Sequence, residues 1–170
     1  MNLYVKSTLM GYKIANNEGI VIDYIKSKNF MDSAKLILKD NSIVYETDII
    51  IENKEDKYII KNKDNEIIAT TELKFKEDEK SSIVHSPKVE YMIINTPYGE
   101  WKAVQEKDFS ISFISKNKVI GKISPFFSFH SQEISLSDDF PAKFWLAIYV
   151  LSYYMVHEND VITVWAWQRK

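Results

Sequence analysis

Cysteine is absent from this chain of 170 residues. Its absence excludes disulfides, thiolate zinc sites, iron–sulfur clusters and a cysteine nucleophile. Glycine is scarce, and Gly11, Gly19, Gly99 and Gly121 stand singly. Phosphate-cradling loops need clustered glycines so that several backbone N–H groups can approach one anion. The pattern therefore speaks against nucleotide binding and places these glycines in turns or bulges. No sign of charge dominates either: 22 Lys+Arg stand against 24 Asp+Glu, which gives no overall pull toward nucleic acid but leaves room for a local patch.

Chemistry-bearing clusters are missing as well. The histidines, His85, His130 and His157, fall in an expected loop, an expected strand and an expected helix end. A metal site wants at least three convergent ligands, usually with a short-spaced pair, so neither metal nor cofactor is expected. No Gly-x-Ser-x-Gly elbow occurs. Asp138 and Asp139 are adjacent, and adjacent residues on a helix point apart. Helix capping explains them better than acid–base chemistry. The expectation is a protein that is not an enzyme. Residues 1–10 lack a basic segment followed by an apolar core, so they do not read as a signal peptide. With no transmembrane segment expected, the default is a cytoplasmic protein.

What is present is apolar and patterned. Phe144–Val156 is apolar almost throughout, and its polar members project in different directions at 100° per residue. A helix apolar all round must be buried on every side. At 1.5 Å per residue the run spans roughly 20 Å, against about 30 Å of bilayer hydrocarbon, so it belongs inside protein. The spacing predicts a core helix over about 139–157. Ser137, Asp138 and Asp139 would cap its start, Pro141 would enter without losing a bond, and Asn159 would close it.

Before this helix the pattern is that of strands. Expected hairpins pair 11–15 with 20–26, 34–39 with 42–50, 57–62 with 66–76, 89–96 with 100–106, and 109–115 with 118–124. A strand over 126–136 leads to the helix, and 161–167 reads as a last strand. Period-two alternation puts Phe109, Ile111 and Phe113 on one face with Ser110 and Ser112 on the other. Ala34, Leu36 and Leu38 are the expected inward set of their strand. At 170 residues with 45% hydrophobic and 14% aromatic content, the chain suits one domain, 1–170. A helix laid on an open sheet would keep a wet face, whereas a closed barrel buries all faces and leaves no sheet edge. The expected fold is mainly β with one α-helix: a closed antiparallel barrel of about twelve strands around a hydrophobic near-C-terminal helix.

Many hairpins followed by such a helix resemble the tubby C-terminal-like superfamily, which includes the phospholipid scramblases and the LURP-one-related proteins. The segment from Gly121 to Glu158 carries most of the likeness. Ile134-Ser-Leu-Ser-Asp-Asp-Phe-Pro-Ala-Lys143 looks like the approach to the core helix of those families. Asp139, Lys143, Met155 and Glu158 fall where a scramblase-like helix carries an acid, a lysine, a bulky apolar residue and an acid. Upstream, Lys61–Ala69 is similar to the strand–turn–return units of the group. The acidic run that scramblases place before the helix is thinned here to Glu133, Asp138 and Asp139, so no calcium site is carried over.

The resemblance implies a non-enzymatic binding or scaffold module, with anionic phospholipid headgroups at the membrane surface as ligand. Lys74 and Lys76, flanking Phe75 on an expected strand, are candidates for gripping phosphate oxygens. Trp165 and Trp167, followed by Arg169 and Lys170, are candidates for a membrane or partner interface, since indoles beside cations suit both. The alternative is a protein–protein module of inhibitor or immunity type using that C-terminal aromatic strand. A carrier of small apolar ligands is disfavoured, because Phe144, Trp145, Tyr149, Tyr153 and Tyr154 would already fill the interior. Lipid scrambling, attributed to relatives, has no physical route without a spanning segment.

Overall fold

The computed structural model describes residues 1–8, 11–28, 34–52, 55–76, 89–125 and 131–165. Twelve strands follow one another before a single helix: β1 (Asn2–Thr8), β2 (Gly11–Ala15), β3 (Val21–Ser27), β4 (Lys35–Lys39), β5 (Ser42–Glu52), β6 (Glu55–Asn62), β7 (Ile67–Phe75), β8 (Val89–Thr96), β9 (Gly99–Gln105), β10 (Ile111–Ser115), β11 (Lys118–Ile123), β12 (Gln132–Leu136) and α1 (Ala142–Trp165). Each strand pairs antiparallel with its sequence neighbours, and β1 pairs with β12, so the sheet closes into a barrel. The expected architecture holds. Its closing member is the surprise, because the alternation reading assigns no strand to residues 2–8. Leu3 and Val5 are buried while Tyr4 and Lys6 face outward, and that short alternation is all the signal β1 offers.

Local chemistry explains the tight turns. Asp40 and Asn41 between β4 and β5 have φ of 51° and 62°, and Lys116 and Asn117 between β10 and β11 have 47° and 62°. Two successive positive φ angles match the right-handed twist of the flanking strands, which is why asparagine recurs there. The β2–β3 turn is held by Asn16, whose side-chain oxygen accepts from the backbone N–H groups of Glu18 (3.0 Å) and Ile20 (2.9 Å).

Two inward sets differ from expectation. Ala34 is buried as expected, but in β4 the inward residue is Ile37, fully buried, which pairs with Ile25 and Tyr45. Leu36 lies opposite Lys26 and Glu46 on the other face. Three consecutive apolar residues leave the parity open, and the register with both neighbours decides it. Phe109 does not share a strand face with Ile111 and Phe113, for it sits in the preceding turn at φ 64° and is 56% exposed.

α1 fills the barrel. Residues 144–152 are all buried, and their partners come from around the wall. Tyr149 meets Tyr12 of β2 edge-on, Phe144 meets Tyr45 of β5, and Trp145 packs on Trp101 of β9 and Phe113 of β10. The Tyr149 hydroxyl donates to the Gln132 side-chain oxygen of β12 at 3.1 Å. Burial pushes the phenols of Tyr12 and Tyr149 well above the usual tyrosine range, so both stay neutral. Ser152, the polar residue mid-helix, donates back to the Ile148 carbonyl at 2.9 Å, which satisfies its hydroxyl without an outside partner.

Gly121 in β11 shows how tight the fill is. A Cβ there would lie 2.6 Å from the Trp145 ring and 3.2 Å from the Ser135 carbonyl oxygen. Only the smallest residue lets this indole reach the wall.

The helix ends are corrected. α1 begins at Ala142, and the Pro141 carbonyl accepts from Phe144 (3.0 Å) and Trp145 (3.2 Å). Asp138 and Asp139 do not cap it: they lie in a preceding turn, where the Ser137 hydroxyl donates to Asp139 at 2.7 Å. At the other end the helix continues through Asn159 to Trp165. His157 and Asn159 are therefore not terminal, and 161–165 is not a strand. The physical reason is closure, since a barrel completed by β1 and β12 offers no free edge to a further strand.

Candidate functional site

With the interior packed, a candidate surface among the described residues lies on the outer face of β1, β2 and β3. Outward residues of neighbouring strands form rows across a barrel. One such row is built by the register itself: Lys6 of β1 stands directly opposite Lys13 of β2, and Lys13 stands opposite Tyr24 of β3. Directly opposed side chains have Cβ atoms about 4.5–5.5 Å apart, and like charges in that arrangement destabilise the sheet. Both lysines are exposed, and among the described residues neither has a carboxylate partner.

Several other lysines of the barrel have partners. Lys61 reaches Asp48 at 3.1 Å, Lys28 reaches Glu46 at 2.8 Å, and Lys122 lies 3.7 Å from Asp108. Lys102 sits over the Tyr91 ring, 3.6 Å from its centroid, a cation–π contact.

Beside the lysine pair runs a groove of about 380 Å³, lined by Tyr4, Lys6, Lys13, Asn16, Asn17 and Ser131 with the small floor of Ala15, Gly19 and Val21. Its shape comes from the hairpin. The register shifts between Ile14 and Ala15, where Ala15 pairs with Val21, and a bulge of this kind twists and re-aims the strand. Among the described residues the lining carries hydroxyl, amide and ammonium groups and no carboxylate. The Asn16 side-chain oxygen is held by its own turn, which leaves the amide N–H₂ as a donor.

The same flank is unusually apolar for a surface. Ile20, Val21, Ile22 and Tyr24 are 56%, 43%, 53% and 46% exposed. Ile22 and Tyr24 also line a second, smaller hollow of about 190 Å³, together with Leu38, Lys26, Asn41 and the acidic Asp23 and Asp40. Isolated exposed apolar residues are ordinary, and four of them close together along one hairpin make this flank a candidate interaction surface.

The residues chosen from sequence fare differently. Lys74 lies on the outer face of β7, ion-paired with Glu72 of the same strand. It stands opposite Tyr91, and the register shifts between Lys74 and Phe75. That shift breaks the alternation on which a face shared with Lys76 rested, and Lys76 follows the strand end, exposed. Trp165 is the last residue of α1, and Trp167, Arg169 and Lys170 lie outside the described residues. His85 and His130 also lie outside them. Lys6 and Lys13 carried no sequence motif, and their meeting depends on β1, the strand that the alternation reading lacked.

Within α1, Lys143 is the titratable group at the barrel wall. It forms an ion pair with Asp23 of β3 and donates to the Leu38 carbonyl at 2.8 Å. Burial pushes its ammonium below the usual lysine range, and these two partners hold the charge in place. This is a structural pair that ties the helix start to β3 and β4. Among the described residues no group of three His, Cys, Asp or Glu is placed to hold a metal ion, and no helix is long and apolar enough to cross a membrane.

No family model matches the sequence, and no curated protein matches it. The fold is similar to a solved X-ray structure of a protein from Arabidopsis thaliana, with a TM-score of 0.48 and 7% identity over 88% of this chain and 87% of that one.

Proposed function

We propose that this chain is a tubby-like, non-enzymatic binding module that docks peripherally on anionic phospholipid headgroups at the cytoplasmic surface of a membrane. The observation that carries the reading is the juxtaposition on one flank of exposed apolar side chains and two lysines that have no carboxylate partner among the described residues. Lys6 and Lys13 lie in the same cross-barrel row as Tyr24, and Val21 shares their groove. An anionic interface takes such a surface well. Each lysine near it gains about 1 kcal/mol from the negative surface potential, while aliphatic side chains and a tyrosine ring seat at the headgroup boundary. The barrel with an apolar helix inside is also the architecture that the tubby-like resemblance implies. Lys74 and Lys76 fit the role less well, since Lys74 is already paired with Glu72. The rival reading, a protein–protein module, relied on a C-terminal strand, and α1 occupies that stretch through Trp165.

Co-sedimentation with vesicles tests the proposal. Binding is expected to vesicles containing anionic lipid, to weaken from low to physiological salt as screening shortens the reach of the lysines, and to fall in an Ile20→Ser, Ile22→Ser variant. Equal retention on neutral vesicles, or none on anionic vesicles at low salt, would remove the membrane reading.

A further inference from the structure

We infer that the β5–β6 hairpin, where it overshoots the rim of the barrel, receives an extended segment of a partner protein as an added antiparallel strand along β5. That segment carries basic residues on either side of alternate apolar ones. The inference concerns another part of the molecule than the membrane reading and does not rest on it.

Closure removes the edges that run the length of a sheet, but strands of unequal length leave short edges at the rim. The β4–β5 ladder ends where Lys35 meets Thr47, and the β6–β7 ladder ends where Ile59 meets Thr70. The β5–β6 pairing continues past both, through Ile49↔Tyr58, Ile50↔Lys57 and Ile51↔Asp56 to Glu52↔Glu55. Among the described residues this end is a two-stranded ribbon, a unit that is marginal by itself and gains from a third strand. Ile51, at 78%, is the most exposed large apolar residue among those described.

The two sides of the ribbon are finished differently. On the β6 side the Thr71 hydroxyl accepts from the Tyr58 N–H at 2.9 Å and donates to the Tyr58 carbonyl at 3.1 Å, so β7 closes that side. On the β5 side the Ile49 N–H turns to the carboxylate of the preceding residue, Asp48, at 2.9 Å. Ile49 and Tyr58 are thus a pair whose backbone groups point away from each other, and the alternation of an antiparallel ladder makes Ile51 the next residue of β5 to point outward. Ile49 and Ile51 offer N–H and C=O groups two residues apart, the pattern on which β-augmentation builds. An incoming carbonyl takes the place of one Asp48 oxygen, and the other stays with Lys61 at 3.1 Å.

Charge selects the occupant. Asp48 and Glu52 stand at the two ends of this edge, and residues 48–57 hold Asp48, Glu52, Glu55 and Asp56 against Lys54 and Lys57. A second copy pairing Ile49 with Ile51 across a two-fold axis would set Asp48 opposite Glu52 twice, and like charges directly opposite destabilise a sheet. Lys or Arg opposite both acids reverses that sign. With apolar residues opposite Ile49 and Ile51, the partner reads basic, apolar, any, apolar, basic.

The test titrates the end-blocked peptide Lys-Val-Thr-Val-Lys into the ¹⁵N-labelled full chain, followed by NMR. Beside it run the same peptide N-methylated at both valines and the acidic peptide Glu-Val-Thr-Val-Glu. Expected are amide shifts confined to residues 47–52 and 56–58 and slowed hydrogen exchange at Ile49 and Ile51. The methylated peptide keeps the charges but lacks the two donors and should bind at least about tenfold more weakly. The acidic peptide should not bind. Ile51→Pro should abolish binding while leaving the spectrum elsewhere unchanged, because the lost N–H points away from β6 and edge positions accept proline. Equal affinity of the plain and methylated peptides, shifts centred outside the hairpin, or no shifts at all would overturn the inference. So would Ile49 and Ile51 amides already protected in the monomeric free chain, since the edge would then be taken. A free-chain dimer that Ile51→Pro dissociates would give the edge to a second copy and overturn the partner. None of these outcomes touches vesicle binding, so the membrane reading stands or falls separately.

Discussion

Lys143, at the start of α1, and Lys13, on the outer face of β2, carry the same charge in opposite settings. Lys143 is half-buried and is met by the Asp23 carboxylate and the Leu38 carbonyl. Lys13 is exposed and faces another lysine, Lys6. Inside, an uncompensated charge would cost several kcal/mol, so the fold supplies a partner. Outside, water screens the repulsion, and the fold tolerates an unfavourable pair that a bound anion would make favourable. The difference separates a charge held by the architecture from charges left to the solvent.

The comparison breaks most severely at the core. Ile148 is fully buried mid-helix, and Ile148→Asp introduces a charge with no partner. Its cost, several kcal/mol, is comparable with a total stability of roughly 5–15 kcal/mol. Circular dichroism and size-exclusion chromatography should show an unfolded chain, and a folded, monomeric variant would mean that α1 is peripheral. Gly121→Val should cost about 3 kcal/mol in urea unfolding, because Trp145 has no space into which to retreat. Loss of the Asp23 carboxylate tests the interior lysine. Asp23→Ala should cost about 2 kcal/mol, less than the roughly 3–5 kcal/mol of a fully buried pair, since Lys143 keeps 26% of its side-chain surface. The further change Lys143→Met should recover part of the loss. On the outside the sign reverses. Lys6→Gln should stabilise the ligand-free protein by about 0.2–1 kcal/mol at low ionic strength, and the gain should shrink as salt is added. A destabilised Lys6→Gln protein would show that the pair is not repulsive and would remove the electrostatic basis of the groove.

Much of the barrel is legible in the order of the residues. Asn16–Gly19, Asp40–Asn41 and Lys116–Asn117 are turn chemistry, and the strands around them alternate. The all-round apolar Phe144–Val156 requires enclosure, and among sheets only closure provides it. The limits of that legibility have particular causes. Leu36-Ile-Leu38 has no polar member to set its parity, and the pairing with β3 and β5 makes Ile37 the inward residue. The stretch 161–165, with Val161, Ile162, Thr163 and Val164, favours strands by propensity, but it continues α1 because no sheet edge is left to receive it.

The candidate site was less legible than the fold for a different reason. Lys74 and Lys76 stand out because they are close in sequence, while Lys6 and Lys13 become neighbours only through the β1–β2 register. β1 in turn pairs both with β2 and with β12, at the far end of the sheet's sequence order.

By itself the sequence determined the periodicities, the turns and the need to bury one helix completely, because these follow from local backbone preference and from the transfer of apolar side chains out of water. Only the tertiary structure decided which residues share a row across the wall, which cation finds a carboxylate, and which pair is left facing its own charge. Strand register and closure are global conditions, satisfied by all twelve strands together, and no single segment encodes them.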